Sequence, residues 1–503
     1  MTVSTLLALG LIASTHMVAA LAPGDAEAMY DGFNNALLVS SGSAVFYKKA
    51  LDSEDPDGTW SASLNILGAE DAFERTGDQD KQALVNSLLT TWLNQTPPPW
   101  SWDGWNDDIG WFTLALIRGY QMTGNSTFLD EAKYGFDYAF GRGWDTKYNG
   151  GGIWEQNPEY LTSSDGPPNK QALSNDSLGK VACMIYQSTH DSDYLDKCQL
   201  IYNWVVSNLY ESSTGQINGV INETGFVTPD STAAYNQGTF LDYSNLLYEI
   251  TGNNTIYDIA QNALDYAMNN LTVNGIFSNN AGYLNTWADE AARGVGHFVR
   301  DQRLWDKYYA WMVKNADAIL ANRRTDLNIT WNGWDTPTSD DNTLSANKFV
   351  SAMAWLQFTP PTQPSDKPGG VHVITNNLTG MAIDSAGTFG NNNPVIQWGL
   401  NNGLNQRWQL TQNSDESWNI ISLSTWQALD CGASDTNGAE AIQWQSTRDS
   451  NQRWIINELS DGTYSIESQA TGKALDGGSS TTNGDALIQW GWNGGSQQRW
   501  VLH

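Results

Sequence analysis

The stretch Trp102-Asp103-Gly104-Trp105-Asn106-Asp107-Asp108-Ile109-Gly110-Trp111 sets two adjacent carboxylates among three tryptophans. Glycosidic bond cleavage commonly uses two carboxyl groups. One protonates the leaving oxygen, and the other attacks the anomeric carbon or activates water there. Tryptophan faces can cover the C–H faces of sugar rings. The pair heads a helical pattern (Ile109, Phe112, Leu114, Ala115, Leu116, Ile117), and adjacent helical side chains diverge by roughly 100°. Asp107 and Asp108 could therefore reach one ring from different angles. The same residues also read as a helix cap, since Asn or Asp there satisfies free N–H groups and suits the dipole.

The elements that must position this pair are helices. Apolar residues recur with a 3.6-residue period near 24–37, 60–75, 79–93, 107–122, 126–140, 170–187, 192–209, 236–250, 254–270, 286–299, 302–321 and 343–357. A recurring joint links several of them: Arg75-Thr-Gly-Asp78, Met122-Thr-Gly-Asn125, Ser188-Thr-His-Asp191 and Ile250-Thr-Gly-Asn253. Glycine ends one helix in the left-handed conformation, and Asp or Asn caps the next. Six such hairpins closed in a ring give an (α/α)6 barrel, and an open solenoid is the alternative. Two loops between helices combine candidate substrate contacts: Tyr148-Asn-Gly-Gly-Gly-Ile-Trp154-Glu155, and Tyr235-Asn236-Gln237-Gly238, whose amides suit hydroxyl groups.

The period changes in the last quarter of the chain. A Pro-rich linker, 359–370, separates residues 21–358 from an all-β unit at 371–503, whose motifs repeat at a spacing of 46: Asp384, Asp430, Asp476; Trp398, Trp444, Trp490; and Gln406-Arg-Trp408, Gln452-Arg-Trp454, Gln498-Arg-Trp500. Four prolines keep the linker extended and semi-rigid. A threefold β repeat implies three units closed about one axis.

Composition narrows the partners and the compartment. Residues 1–20 read as a signal peptide, with an apolar run from Leu6 to Ser14 and the small residues Val18-Ala19-Ala20 at its end. Secretion is the expectation, and no later stretch is apolar enough to span a bilayer. Sequons at Asn125, Asn175, Asn222, Asn253, Asn270, Asn328 and Asn377 are candidate glycosylation sites; an eighth, at Asn94, has proline after its threonine. Cys183 and Cys198 sit at similar distances into two successive helical patterns, so antiparallel helices could bring them to bonding distance. A net charge of −30 argues against nucleic acid and anionic membranes as partners. The 24 tryptophans suit sugar-binding surfaces.

The motifs Trp105-Asn-Asp-Asp-Ile-Gly-Trp111, Gly150-Gly-Gly-Ile-Trp154 and Tyr235-Asn-Gln-Gly238 resemble, in order, those of glycoside hydrolase family 76. The resemblance implies an (α/α)6 barrel acting on α-1,6-mannan with retention of configuration. Asp107 would be the nucleophile and Asp108 the acid/base; Trp102, Trp105, Trp154, Glu155, Tyr235, Asn236 and Gln237 would contact substrate. Glu155 departs from the family, which often has a second tryptophan there. The Gln-X-Trp repeat closely resembles the ricin-type β-trefoil lectins, carbohydrate-binding module family 13. That likeness implies sugar contacts from Asp384, Trp398 and Asn405, from Asp430, Trp444 and Asn451, and from Asp476 and Trp490, with Gln497 replacing the third Asn. The expected protein is a monomeric endo-α-1,6-mannanase held on α-mannan or a related polysaccharide, needing no metal or other cofactor. Another α-glycosidase or a cell-wall transglycosylase on the same barrel, or a carbohydrate-binding protein with an inactive barrel, are the alternatives.

Overall fold

The computed structural model describes residues 20–162, 167–228, 232–277, 288–364, 368–413, 415–432 and 434–503. The expected signal peptide, apart from Ala20, lies outside them. Twelve α-helices occur among the described residues, in six hairpins: α1 (Asp25–Leu37) and α2 (Thr59–Thr76), α3 (Gln79–Gln95) and α4 (Asn106–Thr123), α5 (Ser126–Gly143) and α6 (Ala172–Thr189), α7 (Ser192–Asn208) and α8 (Ala234–Thr251), α9 (Asn254–Asn270) and α10 (Asp289–Asp301), and α11 (Trp305–Ala321) and α12 (Asn347–Phe358). The even-numbered helices form the inner ring. Each packs on the next, and α12 returns to α2, so the ring closes as an (α/α)6 barrel rather than a solenoid. The joints cap as their sequences dictate. Gly77, Gly124 and Gly252 are left-handed, and the Asp78, Asn125 and Asn253 side chains accept N–H bonds from the next helix.

Inner helices are buried on every side, so their polar residues must find partners inside the barrel. A chain of ion pairs fills the axis. Arg293 Nε donates to Asp71 at 2.9 Å, and its Nη1 reaches Asp289 and Glu290. Arg118 also pairs with Asp71 and Glu74, and Lys180 bridges Asp242 and Glu290. His297 lies between Glu74 (2.9 Å) and Asp242 (2.8 Å). Burial works against charge on His297, but the two carboxylates outweigh it and push its pKa up to about 9. The core is therefore ionic along its axis and apolar around it.

Cys183 and Cys198 are bonded, joining α6 to α7. Asn175 corrects the glycosylation reading. It is fully buried on α6, its Oδ1 accepting from Ile153 N–H and its Nδ2 donating to Gln171 O, so it offers no acceptor surface. Asn328 also turns its Nδ2 inward, to Ala28 O. Asn253, Asn270 and Asn377 are exposed.

The C-terminal unit is a β-trefoil. Its first strand, Gly370–Asn376, pairs with both Arg407–Gln412 and the last strand, Trp500–Leu502, which closes the threefold repeat. Trp408, Trp454 and Trp500 form the buried centre, and each indole donates to a backbone carbonyl of Ile383, Leu429 or Leu475.

The trefoil docks on the barrel where its repeat is broken. Position 426 is Trp, with φ +55°, while its equivalents Gly380 and Gly472 are left-handed glycines. A non-glycine residue there costs about 1–2 kcal/mol, yet the Trp426 ring packs on Phe73 of α2, with centroids 5.8 Å apart. Phe389, equivalent to Asp435 and Thr481, packs on Tyr120 and Gly124 at the end of α4. Arg453 and Arg499 pair within the trefoil with Asp415 and Asp461, whereas Arg407 pairs with Glu249 of α8. Burying each ring stabilises the contact by about 1.5–3 kcal/mol, which outweighs the strain. The double variant Phe389→Asp with Trp426→Gly restores the residues of the other repeats. It should weaken docking by about 3–5 kcal/mol, so that calorimetry resolves two thermal transitions, barrel and trefoil. A single transition unchanged in Tm would contradict that coupling.

Candidate active site

The N-terminal ends of the inner helices surround a cavity of about 400 Å3, on the barrel face opposite the trefoil. Its wall includes Asp107 and Asp108 of α4, Trp60 and Leu64 of α2, Leu173 of α6, Tyr235 of α8, and Asp289 and Glu290 of α10. The segment Trp154–Gln156 is tied to the start of α4: Asn106 N–H donates to Glu155 O at 2.7 Å, and Asn106 Nδ2 to Trp154 O at 2.8 Å. Arg142 Nε donates to Asn106 Oδ1, fixing the side chain that begins α4. Glu155 thereby enters the same cavity as the aspartate pair. Gly152, with φ +91°, lets the loop lie against the Trp204 ring, where any side chain would collide.

The electrostatics favour a retained proton. Asp107 is buried and its Oδ1 has no hydrogen-bond partner among the described residues. Burial, then Asp108 and Glu155, hold its pKa well above the carboxylate range. Burial, Asp103 and Glu155 push Asp108 up to about 8. Burial raises Glu155 to about 7 against hydrogen bonds from Asn169 and Gln171. Asp107, Asp108 and Glu155, close together in one desolvated cavity, resist simultaneous ionisation, so the pair keeps a proton at neutral pH.

The structure gathers Trp105, Glu155 and Tyr235 around Asp107 and Asp108. Trp102 lies outside the cavity and is 53% exposed. Trp154, Asn236 and Gln237 do not line the cavity, which corrects their reading as substrate contacts. Trp154 is buried under Lys170 and against Tyr148, and Asn236 is buried in α8. Gln237 spends its amide on Ile217 N–H and the Gly215 and Ala263 carbonyls. The glycine of that motif has a packing role: a Cβ on Gly238 would lie 2.3 Å from Ala291, so α8 and α10 approach only because it is absent. Trp60, Gln171, Asp289 and Glu290 are cavity residues that the motifs did not single out. Carboxylates at the head of α10 were the available signal.

In the trefoil, Asn405 Nδ2 donates to Asp384 and Asn451 Nδ2 to Asp430, both at 2.7 Å. Asp476 keeps the Gly478 N–H bond, while Gln497 turns to Asn493. Trp398 and Trp490 are exposed, and Trp444 is half-buried.

A closed helical barrel with paired carboxyls in its cavity, carrying a sugar-binding trefoil, defines a modular glycoside hydrolase. Residues 37–364 match the model of glycosyl hydrolase family 76, and residues 371–500 match the ricin-type β-trefoil lectin domain. The chain belongs to glycosyl hydrolase family 76. Curated protein sequences contain no match to it. Among solved structures, the α-1,6-mannanase of Salegentibacter sp. HEL1_6 is 21% identical with a TM-score of 0.59, covering 67% of this chain and 98% of its own. An inactive variant of that enzyme, with two consecutive aspartates replaced, was solved with α-1,6-mannotetrose; it is 20% identical, with a TM-score of 0.59 and coverage of 67% and 97%. A Listeria innocua protein is 20% identical with a TM-score of 0.58, covering 66% and 95%.

The pH dependence of catalysis should follow the shared proton. A carboxyl raised to about 8 delivers its proton below that pH and loses it above, so kcat/KM should fall by one proton above about pH 8. Glu155→Gln removes a negative charge that holds Asp108 up, and should move this alkaline limb to lower pH. A limb that stays in place would separate Glu155 from the pair.

Proposed function

We propose that this protein is a secreted, retaining endo-α-1,6-mannanase that its trefoil keeps on α-mannan. The observation that carries the reading is the consecutive pair Asp107–Asp108 on one wall of an aromatic-lined cavity. The mannanase solved with α-1,6-mannotetrose was inactivated at two consecutive aspartates, which supports the same use of the pair here. Asp107, buried at the cavity wall, is the nucleophile. Asp108, partly exposed, is the acid/base, the role that must exchange protons with the leaving group and with water.

In the first step Asp108 protonates the glycosidic oxygen as Asp107 attacks the anomeric carbon, and the C–O bond to the leaving sugar breaks. Asp108 then deprotonates water, which displaces Asp107 and restores both carboxyls. Retention requires these two inversions. The exposed Trp105 on the cavity wall, with Trp102 exposed three residues before it, supports a chain that runs past the cavity, and hence internal cleavage. Digestion of linear α-1,6-mannan followed by NMR should show oligosaccharides with newly formed α-anomers. Release of mannose alone from chain ends would overturn endo action, and β-anomers would overturn retention.

A further inference from the structure

A second polar cavity, about 230 Å3, lies between the domains, at the opposite end of the barrel from the catalytic cleft. That is below the 300–1,000 Å3 typical of sites for drug-sized ligands, and leaves room for about one sugar ring. The trefoil contributes Asn405, bonded to Asp384, and the loop through Ala386 to Phe389. The barrel contributes Tyr120, Gln187 and His190. Phe389 and Tyr120 form an aromatic wall, their centroids 6.4 Å apart.

Gln187 is the informative residue. It is 5% exposed, and its side chain lines this cavity. An amide that opens into a cavity can both donate to and accept from the hydroxyl groups of a ligand. An amide, a hydroxyl-accepting Asn and an aromatic wall around a small space match the chemistry of one neutral pyranose. No Lys or Arg lines the cavity, which disfavours an anionic ligand. The second repeat has its own Asp430–Asn451 pair, but Asp435 stands where the first repeat places Phe389 against the barrel.

We propose that the first trefoil repeat binds its sugar in a composite site, with Gln187 and His190 of the barrel closing over one neutral pyranose unit held by Asn405. This site belongs to neither domain alone, so its selectivity differs from that of the second repeat. The proposal rests on the sugar-binding nature of the trefoil and is independent of which glycan the cleft hydrolyses.

The test uses the full chain and NMR. The protein has 5 histidines, so the His190 Hε1 signal can be assigned by substitution. Methyl α-mannopyranoside, methyl β-galactopyranoside and methyl β-glucopyranoside are titrated separately. At least one should shift the His190 signal saturably. Gln187→Leu on the barrel side and Asn405→Ala on the trefoil side should each weaken that titration about tenfold, the loss expected for a buried hydrogen bond. Trp444→Ala, in the second repeat, should leave it unchanged. Gln187→Leu conserves volume and reports alone if Asn405→Ala does not fold. A His190 signal that no glycoside moves, or one whose titration survives Gln187→Leu, overturns the proposal.

Discussion

Asp107→Asn and Asp108→Asn should each fold and each lose activity on α-1,6-mannan by on the order of 10⁴-fold, at the upper end for a positioned acid or base. Both side chains are isosteric with the originals, and Asp107 Oδ1 has no hydrogen-bond partner among the described residues, so stability should change little. The two losses have different chemical signatures. With an activated α-mannoside, azide should rescue Asp107→Asn by direct attack and give the inverted β-mannosyl azide. It should rescue Asp108→Asn by attacking the glycosyl–Asp107 ester and give the retained α-mannosyl azide. Full activity in either variant removes that residue from the mechanism, and Glu155, which shares the cavity, becomes the carboxyl to replace next.

The largest stability effect should come from Arg293→Ala. Arg293 is fully buried and pairs with Asp71, Asp289 and Glu290. Removing it strands Asp289 in the barrel axis and leaves Asp71 and Glu290 with one cation each, Arg118 and Lys180. Breaking a buried pair from one side costs about 3–5 kcal/mol, or roughly 10 °C in Tm for a domain of this size. Part of the loss should be recovered at acidic pH, because protonation neutralises the carboxylates left short of positive charge. The acid-side recovery distinguishes charge burial from a simple cavity, whose cost does not depend on pH. If Tm falls equally at pH 4 and pH 8, the axis is held by packing and the ion pairs add little.

Helix existence was legible because each hairpin carries both its period and its cap. The errors sit where backbone conformation overrides period. The pattern read from 170 as helix begins only at Ala172, because Asn169–Gln171 pairs as a strand with Val220–Asn222. The pattern read from 302 starts at Trp305, after Arg303 takes a left-handed turn. The catalytic pair was legible because local spacing contains it. The axial ion pairs were not, since Asp71 and Arg293 are 222 residues apart. Nor could a polar motif reveal direction: the amides of Tyr235-Asn-Gln-Gly238 look suited to hydroxyls, yet Gln237 faces the packing between α8 and α9. Trp426 shows the opposite case. A bulky residue at a glycine position of a repeat is a sequence signal, readable once its two equivalents are compared.

The docked trefoil also sets how an anchored molecule samples its surroundings. A flexible tether lets a catalytic unit sweep a volume around its anchor, with an effective concentration set by linker length. Here Trp426, Phe389 and Arg407 fix the trefoil to the C-terminal ends of the inner helices, while the cleft opens at their N-terminal ends. An 18-residue helix such as α4 is about 27 Å long, which makes the barrel a rigid spacer of that height. A glycan chain gripped by the trefoil is therefore held about one helix length from the cleft. The molecule would reach a neighbouring strand, or a looped-back length of the strand it grips, so its catalytic yield would depend on how closely chains are spaced in the matrix.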